Sequence, residues 1–130
     1  MGTILIIDDE PELRFLLRQV LEHEGYECLE AGDGNMALQM LKGYPSISLM
    51  VTDFNMPGMD GLQLLARKAA DPLLWNIPTI FMTAEHSLDL CMKAIQAGAI
   101  QVLFKPYDIF DLKSCIRRVL EPLQATSVVI

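Results

Sequence analysis

The sequence predicts an α/β domain with a doubly wound five-stranded parallel sheet in the order 2-1-3-4-5 and helices on both faces. Three observations carry this reading. Short apolar runs alternate with helix-period segments along the whole chain. The runs are almost continuously apolar, as strands covered on both faces are. Four of them end in a carboxylate, a hydroxyl or an ammonium: Asp8-Asp9, Asp53, Thr83 and Lys105. At 130 residues the chain fits one domain of ordinary size, and a second catalytic domain would not fit beside it.

The first strand, Ile4-Leu5-Ile6-Ile7, runs into Asp8-Asp9, and Pro11 sits where a helix can begin. Leu13, Leu16, Leu17, Val20 and Leu21 recur at helical spacing, predicting one apolar face that stops at Gly25. A short strand near Glu27 to Ala31 follows. Asp33-Gly34-Asn35 is a turn and N-cap signal that opens a second amphipathic helix carrying Met36, Ala37, Met40 and Leu41. After a loop from Gly43 to Ser46, Ser48 to Thr52 reads as the third strand, delivering Asp53.

The segment from Asp53 to Gly61 is too rich in Pro and Gly for regular structure, with Gly58 and Gly61 read as turn formers. A helix from about Leu62 to Ala70 comes next. Pro72 and Pro78 bracket a connector with the single tryptophan, Trp75, before a strand through Ile80-Phe81-Met82 to Thr83. Ser87 reads as the N-cap of a helix reaching Ala97, ended by Gly98 in the left-handed conformation. A fifth strand, about Gln101 to Phe104, meets Lys105-Pro106. Asp108 then caps a last helix with Ile109, Leu112, Ile116, Val119 and Leu120 on one face.

Composition excludes several classes. No run approaches the ~18 to 20 apolar residues that cross a bilayer, so the chain is expected to be soluble. Without a basic leader and apolar segment ahead of a cleavage site, it is expected to be cytoplasmic. Ile6 stands where an N-myristoylation signal needs Ser or Thr. Cys28, Cys91 and Cys115 are widely spaced with no CxxC, which argues against a zinc site or disulfide framework and for small core residues. With 17 acidic and 10 basic residues, net charge −7, the chain would be repelled by nucleic acid and by anionic membranes.

In a parallel sheet of flavodoxin-like order, the binding crevice lies at the carboxyl ends of the strands, where the first and third strands meet. Strands 1, 3, 4 and 5 are then consecutive neighbours, so Asp8-Asp9, Asp53, Thr83 and Lys105 line one edge. Two carboxylates about 5 Å apart repel by roughly 3 kcal/mol at an effective dielectric of 20, and a divalent cation relieves the strain. Oxygen-only ligands select Mg²⁺, with Mn²⁺ able to substitute. Asp8 and Asp9 read as the metal pair and Asp53 as a nucleophile toward phosphorus. Lys105 would neutralise phosphoryl oxygens, and Thr83 would hydrogen-bond the attached group.

These residues, with Met56-Pro57-Gly58-Met59-Asp60-Gly61, Thr83-Ala84, Ala97-Gly98-Ala99 and Lys105-Pro106, make residues 3 to 121 resemble the receiver domain of two-component response regulators. The resemblance implies a phosphoryl group received on Asp53 from a sensor histidine kinase or phosphotransfer protein. It further implies that Asp9 binds Mg²⁺ directly and Asp8 partly through water, that the main-chain carbonyl of Asn55 is a ligand, and that the Lys105-Pro106 peptide is cis. It implies a switch in which Thr83 moves toward the phosphoryl group and an aromatic three positions before the lysine turns inward. That position is Val102 here, a departure. Phe104 and Tyr107 are the nearest aromatics, read as packing in the sheet and in the following turn. Asn55 and Glu85 occupy the positions that tune phosphoryl lifetime.

Residues 1–122 are therefore expected to form the receiver and 123–130 a tail or the start of a linker. The helix from about Leu88 to Ala97 carries more apolar surface than one buried face needs, which points to a surface for a partner or for a homodimer through the face of the fourth helix, fifth strand and fifth helix. Two other classes share parts of the pattern. A flavodoxin-type FMN binder would need hydroxyls and free amides where Asp8-Asp9-Glu10 would repel a phosphate. A haloacid-dehalogenase-type phosphatase would place its nucleophile in a D-x-D pair after the first strand. No enzymatic turnover of a separate substrate is expected; the domain would assist phosphotransfer to Asp53 and hydrolysis from it.

Overall fold

The computed structural model describes residues 2–121. The expected tail, 123–130, lies outside the described residues. The chain alternates strand and helix: β1 (Thr3–Ile7), α1 (Pro11–His23), β2 (Glu27–Ala31), α2 (Gly34–Gly43), β3 (Ile47–Asp53), α3 (Gly61–Ala70), β4 (Thr79–Thr83), α4 (Leu88–Gln96), β5 (Ala99–Phe104) and α5 (Ile109–Leu120). The five strands are parallel and ordered β2-β1-β3-β4-β5, as expected.

Strand alternation divides the core into two layers. Leu5, Ile7, Met50 and Phe81 face α2, α3 and α4, against Ala37, Leu41, Leu64, Leu65, Leu90 and Ala94. Ile4, Ile6, Leu49, Val51, Ile80 and Met82 face α1 and α5, against Leu17, Leu21, Leu112, Cys115 and Ile116. Polar strand residues are confined to ends and edges, so the charged groups collect where the strands stop.

The helix starts follow local chemistry. Pro11 occupies the first turn of α1, where its missing N–H has no cost. Asp33, Ser87 and Asp108 cap α2, α4 and α5 by accepting from the amides of Met36, Leu90 and Phe110. Asp60 and Gln63 form a reciprocal capping box at α3. Gly98 takes φ +112° after α4, as the stop signal required.

Some expectations need correction. Leu16 is exposed together with Phe15, because α1 buries only the narrow stripe of Leu17 and Leu21 against the sheet. Met36 is exposed as well, in the first turn of α2 ahead of the buried Ala37. Strand β3 starts at Ile47 and includes Asp53, and β5 starts at Ala99, because pairing with β1 and β4 carries the ladders further than the apolar runs alone indicate. Lys68, which the sequence reading leaves unassigned, is buried on α3; its Nζ donates to the Trp75 carbonyl and ties α3 to the connector.

Gly58 adopts φ +76° and is the turn former expected. Gly61 is more than that. A Cβ there would lie 2.7 Å from the Asp53 carbonyl oxygen, 2.9 Å from the Phe54 Cα and 2.9 Å from the Phe81 ring, so only glycine lets α3 start directly against the end of β3. The Gly61 amide donates to the Phe54 carbonyl at 2.9 Å and fastens that approach. Replacing Gly61 by Ala is expected to destabilise the fold by about 1–3 kcal/mol, the usual range for overpacking a filled site, read from the midpoint of urea unfolding.

Candidate functional site

The carboxyl ends of β1, β3, β4 and β5 bring together all the strand-end residues picked out by the sequence. Asp8 follows β1 and is fully buried, Asp9 is exposed beside it, and Asp53 closes β3 with little exposure. One carboxylate oxygen from each of Asp8, Asp9 and Asp53 lies within 4.8 Å of the others. Among the described residues this is the one cluster of three or more acidic, His or Cys side chains close enough to share an ion. Lys105 Nζ stands 3.0 Å from Asp53 Oδ1 and 3.9 Å from Asp8 Oδ2. Asp9, Glu10, Asp53, Asn55, Ala84 and Lys105 line an open cleft of about 360 Å³.

The backbone of Asp8 is held on several sides. Its amide donates to the Ala31 carbonyl at 3.2 Å, and its carbonyl accepts from Arg14 Nη1 at 2.6 Å. Its Oδ1 accepts from the Glu10 amide at 2.9 Å, while its buried Oδ2 has no hydrogen-bond partner. Burial raises the Asp8 pKa above the ordinary carboxylate value; the Glu10 amide opposes that shift, the Asp53 charge reinforces it, and Lys105 offsets part of it. The Tyr107 hydroxyl is pushed up to about 12, first by burial and then by the negative charges of Asp8 and Asp53.

This donor set fits a hard divalent cation. It offers only oxygens, it crowds three carboxylates with one close ammonium, and it leaves a buried carboxylate oxygen unsatisfied. Asn55 lines the same cleft. Thr83 is buried at the end of β4 and is not among the residues lining the cleft; its Oγ1 accepts from the Glu85 amide at 2.9 Å. Its O–H therefore remains available as a donor, and engaging a group in the cleft requires it to move.

Around this edge, Val102 is half-buried against the core layer of α2, α3 and α4. Tyr107 packs against the opposite layer from the turn after β5, as expected. Phe104 is only partly covered within the sheet, with its ring 4.7 Å from that of His86, whose Nε2 lies 3.2 Å from the Lys105 carbonyl. The Lys105-Pro106 peptide is cis, as expected. Arg14 and His86 were not singled out by sequence. Arg14 falls inside an amphipathic helix where an arginine reads as solvated surface, and no spacing rule separates it from Arg18.

Fold and site together define an α/β domain of the phosphoryl-handling class, with an acid cluster able to hold a cation at the switch point of its sheet. The chain belongs to the response regulator receiver domains, matching that family over residues 4–117. It is 37% identical to sporulation initiation phosphotransferase F of Bacillus subtilis, over 94% of this chain and 95% of that protein. It is 38% identical to chemotaxis protein CheY of Pseudomonas aeruginosa, over 91% and 95%. The DNA-binding transcriptional regulator NtrC of Salmonella typhimurium matches at 35% identity over 95% of this chain, which spans 26% of that longer protein. Among solved structures, the response regulator TrrA of Thermotoga maritima in complex with Mg²⁺-BeF superposes with TM-score 0.81 at 29% identity, covering 92% of this chain and all of that one. The protein is thus a receiver domain of two-component systems. Neither an FMN-binding nor a phosphatase reading finds support.

Because Asp8 is buried with its folded pKa raised, the ionised carboxylate is disfavoured in the fold. Cation-free stability should therefore fall as pH rises from the unfolded carboxylate range through the folded pKa of Asp8, and the penalty should be complete above it. Asp8→Asn is expected to remove that decline and to raise cation-free stability at pH 7 on the order of 1 kcal/mol. Urea unfolding across pH in the presence of a chelator checks both.

Proposed function

We propose that Asp53 is the phosphoacceptor of this receiver, served by Lys105 and Thr83 and by a Mg²⁺ site formed by Asp8, Asp9, Asp53 and the Asn55 main-chain carbonyl. The observation that carries this reading is the three-carboxylate cluster with Lys105 Nζ 3.0 Å from Asp53 Oδ1. Of the three acids, Asp53 combines a central position in the sheet, access to the cleft and contact with the ammonium.

An Asp53 carboxylate oxygen attacks phosphorus in line; the new oxygen–phosphorus bond forms an acyl phosphate as the bond from phosphorus to the donor's histidine nitrogen breaks. The donor is a sensor histidine kinase or phosphotransfer protein, whose freed imidazole nitrogen retains the electron pair. Lys105 already sits against Asp53 and needs only a small shift to balance a phosphoryl oxygen. Bound in the cleft, the cation supplies charge neutralisation for the carboxylates and for the incoming phosphoryl oxygens. Residues 1–122 act as the receiver unit and 123–130 as a tail or linker, in the cytoplasm where such donors work. The domain's own groups assist transfer to Asp53 and hydrolysis from it, with Asn55 and Glu85 placed to tune the lifetime.

The signal leaves through Thr83. When its hydroxyl turns from the Glu85 amide to the phosphoryl group, the β4–α4 loop is drawn in and the face of α4, β5 and α5 repacks, with the half-buried Val102 filling the role usually given to an aromatic. On that face Leu88, Met92, Ile95, Ile100 and Phe110 are all exposed, an apolar surface suited to a second copy of the domain.

Acetyl phosphate with Mg²⁺ should add about 80 Da to the intact wild-type mass, the mass of one phosphoryl group. Asp53→Asn should abolish the gain, and a wild type that gains nothing would overturn the assignment. Light scattering on the phosphorylated chain should show the mass of a dimer, and an unchanged monomer mass would remove the dimer from the account.

A further inference from the structure

Asp8 is clamped at both of its backbone polar groups by two consecutive residues of β2, and one of the clamps is indirect. Its amide donates straight to the Ala31 carbonyl. Its carbonyl is reached from Glu30 through Arg14: Nε of Arg14 donates to Glu30 Oε1 at 3.1 Å, and Nη1 donates to the Asp8 carbonyl at 2.6 Å. The Arg14 side chain is 17% exposed, and a Cβ on Gly32 would come within 3.4 Å of Nη1, so the guanidinium is enclosed between α1 and the turn after β2. A planar fork with two differently directed donors suits this bridge, which a lysine could not span in the same way.

The carbonyl it grips lies in the rigid peptide plane that also contains the Asp9 amide nitrogen. Fixing that plane sets the direction from which the exposed Asp9 side chain leaves the backbone, as well as the geometry of Asp8. Arg14 and Glu30 are not among the residues lining the acidic cleft. Arg18 offers a natural comparison, because its Nη1 binds the other oxygen of Glu30 at 3.2 Å and its Nε binds Glu22, and it has no bond to Asp8.

We propose that Arg14 is a positioning residue for the acid pair, holding the Asp8-Asp9 peptide plane so that both carboxylates present to a divalent cation, with Glu30 acting through it. The inference rests on the cation site proposed above. Its test uses the full chain and Mn²⁺, with free ion measured by electron paramagnetic resonance and the fold checked by circular dichroism. Arg14→Gln should bind Mn²⁺ about tenfold more weakly, the range seen when a group that orients a metal ligand is removed, while Arg18→Gln should stay within about twofold of wild type. Unchanged affinity in folded Arg14→Gln, or an equal loss in Arg18→Gln, would overturn the proposal. If Arg14→Gln does not fold, Glu30→Gln takes its place, with a loss of about threefold expected and none contradicting it.

A second readout needs no cation. The Glu10 amide, bonded to Asp8 Oδ1, should exchange its hydrogen faster in Arg14→Gln than in wild type, and equal exchange would overturn the positioning role. A wild-type chain that binds no Mn²⁺ would instead overturn the cation site, and the Glu10 exchange would then decide the role of Arg14 by itself.

Discussion

Three carboxylates forced together at the end of a parallel sheet are the constraint on which the rest of this structure depends. Side by side in a medium of intermediate dielectric, they repel by several kcal/mol. The order of the strands brings them together. β1 and β3 are adjacent at the switch point, so whatever follows their last apolar residues must share a small volume. Lys105, delivered by β5 two strands away, answers part of that charge by leaning onto Asp53. Asp8 receives less, since its inner oxygen is buried without a hydrogen bond. The site is therefore poised for more positive charge than the protein supplies.

The same constraint shapes what surrounds the cluster. Gly61 lets α3 begin against the backbone of Asp53, and the Gly61 amide locks the connecting loop to Phe54. Ala31, Glu30 and Arg14 grip the peptide of Asp8 from the other side. Both arrangements convert packing of the helix layers into fixed positions for acids that would otherwise move apart. Along β4 and β5 the holding is looser. Thr83 binds its own loop, Val102 is half-buried, and Phe104 stacks on His86 near the surface, so small rearrangements there meet little resistance.

Much of this was legible in the sequence for a simple reason. Strands buried on both faces must be apolar throughout, so a carboxylate or lysine at the end of such a run marks both the strand's end and the sheet edge where it stops. Asp8, Asp9, Asp53, Thr83 and Lys105 were found that way, and the caps Asp33, Ser87 and Asp108 follow from equally local chemistry. Side chains whose role comes from tertiary approach were not legible. Gly61 resembles any turn glycine until the atoms that a Cβ would strike are known. Arg14 and Lys68 sit in helices at positions where a cation reads as solvated, and only the packing of α1 against β2, and of α3 against its connector, turns one toward Asp8 and buries the other. Leu16 erred the opposite way, because a helical apolar stripe read from spacing is wider than the groove that receives it.

The most direct measurement is the location of the acyl phosphate and its dependence on the cation. After incubation with acetyl phosphate, borohydride reduces an aspartyl phosphate to homoserine with release of inorganic phosphate, and peptide mapping then locates the converted residue. The account predicts conversion at Asp53 with Mg²⁺ present and almost none when a chelator removes it. Conversion at Asp8 or Asp9, or equal conversion at Asp53 with and without the cation, would contradict it.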